Sequence, residues 1–255
     1  MKTITDRHQF ILNKLREQGK TTIPQLIEEM KVSGVTIRKD LKLLEEKKLL
    51  FRTRGGCSLS NPYAVERPIN EKEFIRSEEK KRIAKAALPL IGQSDSIIIG
   101  SGTTVFELAR ILYPEKKLTV ITPALKVALE LCNRPNIDIL QLGGIIHQSS
   151  SSSAGFFAER ILDELSCGVL FLGVDGIDLE HGITITNIIE ASLNQKMIQM
   201  AHTVVVLADS SKFDRRGIAR IGSLDQVDYI VTDKGAPAGM IPKIEKMGVR
   251  VVVAE

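Results

Sequence analysis

The sequence predicts a two-part α/β chain: a winged helix-turn-helix over residues 1–58, a linker over 59–77, and an α/β domain built on a parallel sheet over 78–255. Three observations carry this. Continuous apolar runs alternate with helix-like segments from residue 96 onward. Three short amphipathic segments precede them. The charge is also split: residues 1–60 hold 13 basic and 7 acidic side chains, the remainder 22 and 24. A basic head on a slightly acidic body points to a polyanionic partner for the head alone.

Within the head, residues 7–18 place Phe10, Ile11 and Leu15 at helical spacing, and Gly19 stops the run. Thr21–Pro24 opens a second short helix with Leu26, Ile27 and Met30 inward. Ser33 is the N-cap of a third helix over 34–47. Ile37, Leu41 and Leu44 share one face of it. Val35, Arg38, Lys39 and Lys42 gather on the opposite face, with Thr36 at its edge. Such a helix suits the major groove of duplex DNA. Arg38 or Lys39 would reach guanine edges, and Val35 or Thr36 a thymine methyl. The arm 49–56 carries Arg52 and Arg54, placed for phosphate contacts that fix position without reading sequence.

From Ser58 to Ser77, two prolines, mixed charge and the lack of a period predict a hinge, and a helix opens at Glu78. The strands expected next are 96–100, 118–122, 137–142, 169–173, 203–208, 228–232 and 249–253. Helices are expected over 104–112, 124–132, 155–165, 189–201 and 238–247. In such sheets ligands bind beyond the carboxyl ends of the strands. Those ends are polar: Ser101, Gly102, Thr103 and Thr104 after the first strand, then Thr122, the pair Gly143 and Gly144, Asp175 with Asp178, and Lys212. A strand ending in Gly-Ser-Gly-Thr-Thr and opening a helix makes a cradle for a phosphate. Lys212 adds a point charge, the aspartates can accept sugar hydroxyls, and Glu190 starts a later helix. The run Ser149–Ser153 reads as a mobile loop or as a lid of hydroxyls.

Cys57, Cys132 and Cys167 are widely spaced and odd in number, which excludes a disulfide frame and suits a reducing cytoplasm. No charged leader or long apolar span is visible, so neither export nor a membrane is expected. His8 and His202 sit beside apolar positions, whereas His147 and His181 lie on rim loops. None has ligand spacing, and neither a metal nor another cofactor is expected.

The stretch VSGVTIRKDLKLLEEKKLLFRTRGG resembles the DNA-binding domain of the DeoR family of bacterial transcriptional repressors. LQLGG, LFLGVDGIDLEHGIT, EASLNQKMI and ADSSKF are similar to that family's C-terminal effector domain, which shares the fold of ribose-5-phosphate isomerase and glucosamine-6-phosphate deaminase. The second and last of these most resemble the branch that responds to amino-sugar phosphates. The resemblance implies a phosphate loop at Ser101–Thr104, a glycine pair at Gly143 and Gly144, an acidic loop at Asp175 and Asp178, and effector contacts at Glu190 and Lys212. Gly100, Pro123 and His147 depart from the family pattern, where aspartate, asparagine and arginine are usual.

The expected function is therefore repression of carbohydrate-utilisation genes by a homo-oligomer (dimer or tetramer) bound to double-stranded operator DNA and released by a phosphorylated sugar. The alternative is a sugar-phosphate isomerase or amino-sugar-phosphate deaminase with an appended DNA-binding head, using Glu190 or Asp175 as base. Against it, the Asp-Gly-x-Asp stretch continues as Glu180-His181-Gly182-Ile183-Thr184 rather than into a lysine and a glycine-rich run. No catalytic residue is assigned. A DNA-bound structural protein with a vestigial pocket is a third reading.

Overall fold

The structure, a computed structural model, describes residues 3–47, 49–53, 55–59 and 68–255, and the chain divides into two compact units, 1–62 and 63–255. In the first, α1 (Ile4–Gln18) opens on a capping box between Thr3 and Asp6 and ends at Gly19. It is followed by β1 (Lys20–Thr22), α2 (Ile23–Met30) and α3 (Gly34–Glu46). Strands β2 (Phe51–Thr53) and β3 (Gly56–Ser58) complete a three-stranded sheet in the order β1-β3-β2. Strand β1 was not expected. Three residues are too few to show a period, and its bonds come from β3, as in Thr21 opposite Cys57. Ile11, Leu15, Leu26, Ile37, Leu41, Leu44 and Leu50 are buried together between the helices. Each contributes about 1.5–3 kcal/mol of burial. Cys57 joins this core, and burial pushes its thiol up to about 12.

The second unit begins, among the described residues, with α4 (Ile69–Phe74) and α5 (Ser77–Ala87). This corrects the expected hinge over 59–77, of which 60–67 lie outside the described residues. Pro68 starts α4, whose six residues are too short for a clear period. Then follow β4 (Ser96–Ile99), α6 (Thr103–Arg110), β5 (Leu118–Thr122), α7 (Leu125–Leu131) and β6 (Ile137–Gln141). A hairpin of β7 (Ile145–His147) and β8 (Ser152–Ala154) leads to α8 (Phe156–Leu162) and β9 (Cys167–Gly173). Next come β10 (Gly176–Asp178), β11 (Gly182–Ile185), α9 (Ile188–Met200), β12 (Ala201–Leu207) and β13 (Ala219–Gly222). The chain continues through β14 (Tyr229–Asp233), α10 (Ile241–Glu245) and β15 (Arg250–Ala254).

Seven strands form one parallel sheet in the order β15-β14-β12-β9-β4-β5-β6. Successive side chains alternate faces. Ile97, Ile99, Val169 and Phe171 pack with α5, α6 and α7, while Ile98, Leu170 and Leu172 pack with α8, α9 and α10. The expected strands thus fall in one sheet, buried on both faces. Two small antiparallel additions, β7-β8 and β10-β11-β13, were not expected. The serine run is the larger correction. Ser152 and Ser153 lie in β8, buried, and Ser153 donates to the carbonyls of Leu142 and Pro123. Pairing with β7 overrides serine's weak strand preference. Among the described residues no helix is long and apolar enough to cross a membrane.

Candidate functional site

The first candidate is the outer face of α3. Ser33 accepts from the Thr36 amide at 3.2 Å, and the two hydroxyls lie 2.9 Å apart, so both residues organise the helix start. Val35 is 75% exposed, and Arg38, Lys39 and Lys42 are exposed beside it. The inner face anchors the helix: buried Asp40 accepts two bonds from Arg7 of α1, at 2.6 and 3.0 Å. Lys42 has Glu46 at 4.0 Å. Arg52 on β2 is engaged: its amide donates to Glu45 at 2.9 Å and its guanidinium lies 3.7 Å from the same carboxylate. Arg54 lies outside the described residues.

The second candidate is the rim of the large sheet. From β4 the order runs outward through β5 and β6, then returns to β9 on the other side of β4 and continues through β12, β14 and β15. The β4–β9 boundary is thus a topological switch point, where open α/β sheets leave a crevice. The Gly100 amide donates to Phe171 across it at 2.9 Å. Gly102, at φ 123°, is the N-cap of α6 and supplies no side-chain bond, so the first amides of that helix keep no side-chain cap. Thr103 and Thr104 are buried there, and Ser101 is half-buried.

Charge gathers at the same ends. Asp175, just past β9, is buried. It accepts from Lys72 Nζ at 3.1 Å, has Lys212 Nζ at 3.8 Å, and receives the Thr186 hydroxyl at 2.8 Å. Burial pushes its carboxyl up, but Lys72, Lys212 and Thr186 outweigh this and hold it below the ordinary value. Burial lowers Lys212, with Asp175 and Asp209 opposing. Arg76 donates to Ser210 at 2.7 Å and lies 3.9 Å from Asp209. Lys80, 5% exposed, donates to the Lys72 carbonyl. Lys72, Arg76 and Lys80 went unassigned in the sequence because they fall in or beside the supposed hinge. The available signal was their spacing of four residues.

Glu190, capped into α9 by Asn187, is also buried. Ser150 and Ser152 donate to one of its oxygens, Ser152 at 3.3 Å. Burial holds this carboxyl above its ordinary value, with nearby Asp175 adding to the shift. The serine run thus forms the hairpin's turn and its second strand, and Ser150 and Ser152 of it serve as donors to Glu190. His147 lies beside it, with Nδ1 3.5 Å from the Asn187 amide.

Three expected contacts have other work. The Thr122 hydroxyl is fully buried, donating to Ile99 at 2.6 Å and accepting from the Ala124 amide. Gly144, at φ 134°, lets the hairpin close, since a Cβ there would sit 2.5 Å from the Ala154 carbonyl; Gly143 has open space. Asp178 is taken by Arg216 at 2.9 and 3.1 Å and by the amides of Glu180 and His181. Asp178, Glu180 and His181 are the one group of metal-ligating types that converges among the described residues. The Arg216 guanidinium also reaches Glu180, so one cation serves both carboxylates of the corner.

The profile of the DeoR-like helix-turn-helix domain matches residues 7–62, and that of the DeoR C-terminal sensor domain residues 75–234. A protein provisionally named aga operon transcriptional repressor, from Escherichia coli O157:H7, is 36% identical over 98% of this chain and 93% of its own. The uncharacterised regulator YulB of Bacillus subtilis strain 168 is 34% identical, over 97% and 96%. The glycerol-3-phosphate regulon repressor of Escherichia coli K12 is 30% identical, over 93% and 94%. Among solved structures, a ribose-5-phosphate isomerase with phospho-erythronic acid overlaps 54% of each chain at 19% identity and TM-score 0.40.

Proposed function

Since the chain belongs to the DeoR family of transcriptional regulators, we propose that it is a DNA-binding repressor of carbohydrate-utilisation genes, released from its operator by a phosphorylated sugar. The observation that carries the ligand half is that the uncapped α6 start and the Lys212–Asp175 pair follow the carboxyl ends of the neighbouring strands β4, β9 and β12, at the sheet's switch point. Backbone amides, threonine hydroxyls and a half-buried lysine suit a phosphate monoester. Asp175 and Glu190 would accept from the sugar's hydroxyl or amine groups. The head, residues 1–58, reads DNA through Val35, Thr36, Arg38 and Lys39, with Lys42, Arg52 and Arg54 on phosphates. Residues 78–255 sense the ligand.

A thermal-shift screen of sugar phosphates against the corresponding neutral sugars tests the ligand half. A ligand at 100 times its dissociation constant stabilises the native state by about 2.7 kcal/mol. Only the phosphorylated members are expected to raise the melting point. Equal shifts from neutral sugars would contradict the reading.

The protein acts by binding, not turnover. In support, Asp175 is held between two lysines and Glu190 by serine hydroxyls, and no lysine follows the Asp-Gly-x-Asp stretch. Purified protein is expected to leave ribose 5-phosphate and glucosamine 6-phosphate unchanged; turnover abolished by Glu190→Gln would give the site to an isomerase or deaminase. We place the protein in the cytoplasm as a dimer or tetramer. One α3 buries too little surface for a specific site, so two heads on related half-sites are needed.

A further inference from the structure

Helix α4 is bound to both ends of the rim site. At its start the Ile69 amide donates to the Ser149 carbonyl at 2.7 Å, one residue from the Ser150 that donates to Glu190. At its middle Lys72 bonds Asp175 at 3.1 Å. Just past its end Arg76, in the left-handed region at φ 53°, turns the chain into α5 and reaches Ser210 and Asp209. The outer flank is pinned as well: Glu73 lies 3.0 Å from Lys126 and 3.8 Å from Arg110. Helix α4 is therefore a strap laid from the hairpin to the end of β12, and in the sequence it directly follows residues 60–67, which join it to the head.

The strap lies in a dense field of charge: Lys72, Arg76, Lys80 and Lys212 face the buried carboxylates Asp175, Asp209, Glu107 and Asp233. Lys80 and Lys212 are held below their ordinary values by burial, with Asp209 opposing the shift in both. Two lysines also share one Asp175 oxygen, at 3.1 and 3.8 Å. An arriving phosphate dianion would compete with Asp175 for Lys72 and Lys212.

We infer that Lys72 is a ligand-sensing residue of the rim site and that α4 is the strap through which pocket occupancy reaches the linker to the DNA-binding head. This rests on the sugar-phosphate reading above and adds the route by which the ligand acts. The phosphate takes Lys72 from Asp175 as well as engaging Lys212, holds residues 69–76, already seated on the rim, more tightly there, and so changes the anchor from which the linker departs. A ligand shifts such an equilibrium only through contacts that differ between its two states, and Lys72 supplies one.

The test uses the full chain, its operator DNA, and the member of a panel of glucosamine 6-phosphate, ribose 5-phosphate and glycerol 3-phosphate that raises the melting point most. In the wild type that ligand is expected to slow hydrogen exchange in residues 69–76 and to weaken operator binding by roughly 5–150-fold. Lys72→Met is expected to keep operator binding and a ligand-induced melting shift, but to show release of less than about twofold, with no slowing over 69–76. Lys72→Arg restores release, and Lys117→Ala, at a surface pair with Asp138, leaves it unchanged. Release by Lys72→Met equal to that of the wild type, or exchange over 69–76 indifferent to ligand in a responsive wild type, overturns the strap alone. A wild type that binds no member of the panel overturns the strap together with the sugar-phosphate reading.

Discussion

Asp40 and Arg7 are joined by two bonds, at 2.6 and 3.0 Å, and the pair fixes the recognition helix α3 to α1 by its inner face. Asp40 is 1% exposed, so removing Arg7 leaves a buried carboxylate with only His8, at 3.4 Å, beside it. The residue thus belongs to the scaffold although it adjoins Lys39 in the sequence.

Asp40→Ala is accordingly expected to lower the head's melting point and to abolish binding to every DNA sequence. Arg38→Ala should leave melting unchanged and weaken the operator alone, by about 1–3 kcal/mol if it makes a base contact. Circular dichroism melts and footprints separate the two. Normal binding by Asp40→Ala would deny the pair its anchoring role.

Lys42→Ala is expected to weaken all sequences alike and to reduce the slope of log affinity against log salt by about 1. Arg52→Ala should do less, because Glu45 already holds that side chain. A salt titration over operator and random duplexes reads both.

At the switch point, Gly173 is required by close approach: a Cβ there would lie 2.8 Å from the Ser101 carbonyl. Gly173→Ala should destabilise the sensor domain and remove the ligand-induced melting shift while the isolated basic face of α3 is untouched. An unaltered shift in this variant would separate the cradle from ligand binding.

Burial holds the Glu190 carboxyl above its ordinary value, so the folded chain keeps that proton more tightly than the unfolded chain. The stability it contributes is present below about pH 4.3, the unfolded value, and is lost as pH rises through the raised folded value. Without ligand, Glu190→Gln should therefore melt at or above the wild type near about pH 8, the gap closing toward about pH 4. Lower melting at the alkaline end would mean that the charge is compensated.

The elements that position both sites were legible where chemistry is local. Ser33 capping α3, the alternating Ile97–Ile99 strand and the glycine-threonine turn after it are each set by neighbours in sequence. What was not legible is long-range. Lys72 meets Asp175 across 103 residues, from a six-residue helix between proline and a left-handed turn. Asp178 carries the acidic-loop pattern but is captured by Arg216, 38 residues on. Ser152 takes its strand from β7, and its hydroxyl's task from Glu190, rather than from its own composition.

The most direct test of the account is operator affinity by fluorescence anisotropy, with and without a sugar phosphate, at one fixed salt concentration, for the wild type and Lys212→Ala. The account predicts that the phosphorylated sugar weakens wild-type binding by roughly 5–150-fold, that the neutral sugar does not, and that Lys212→Ala binds DNA normally without responding. Release by the neutral sugar equal to that by its phosphate, or full release of Lys212→Ala, would contradict it.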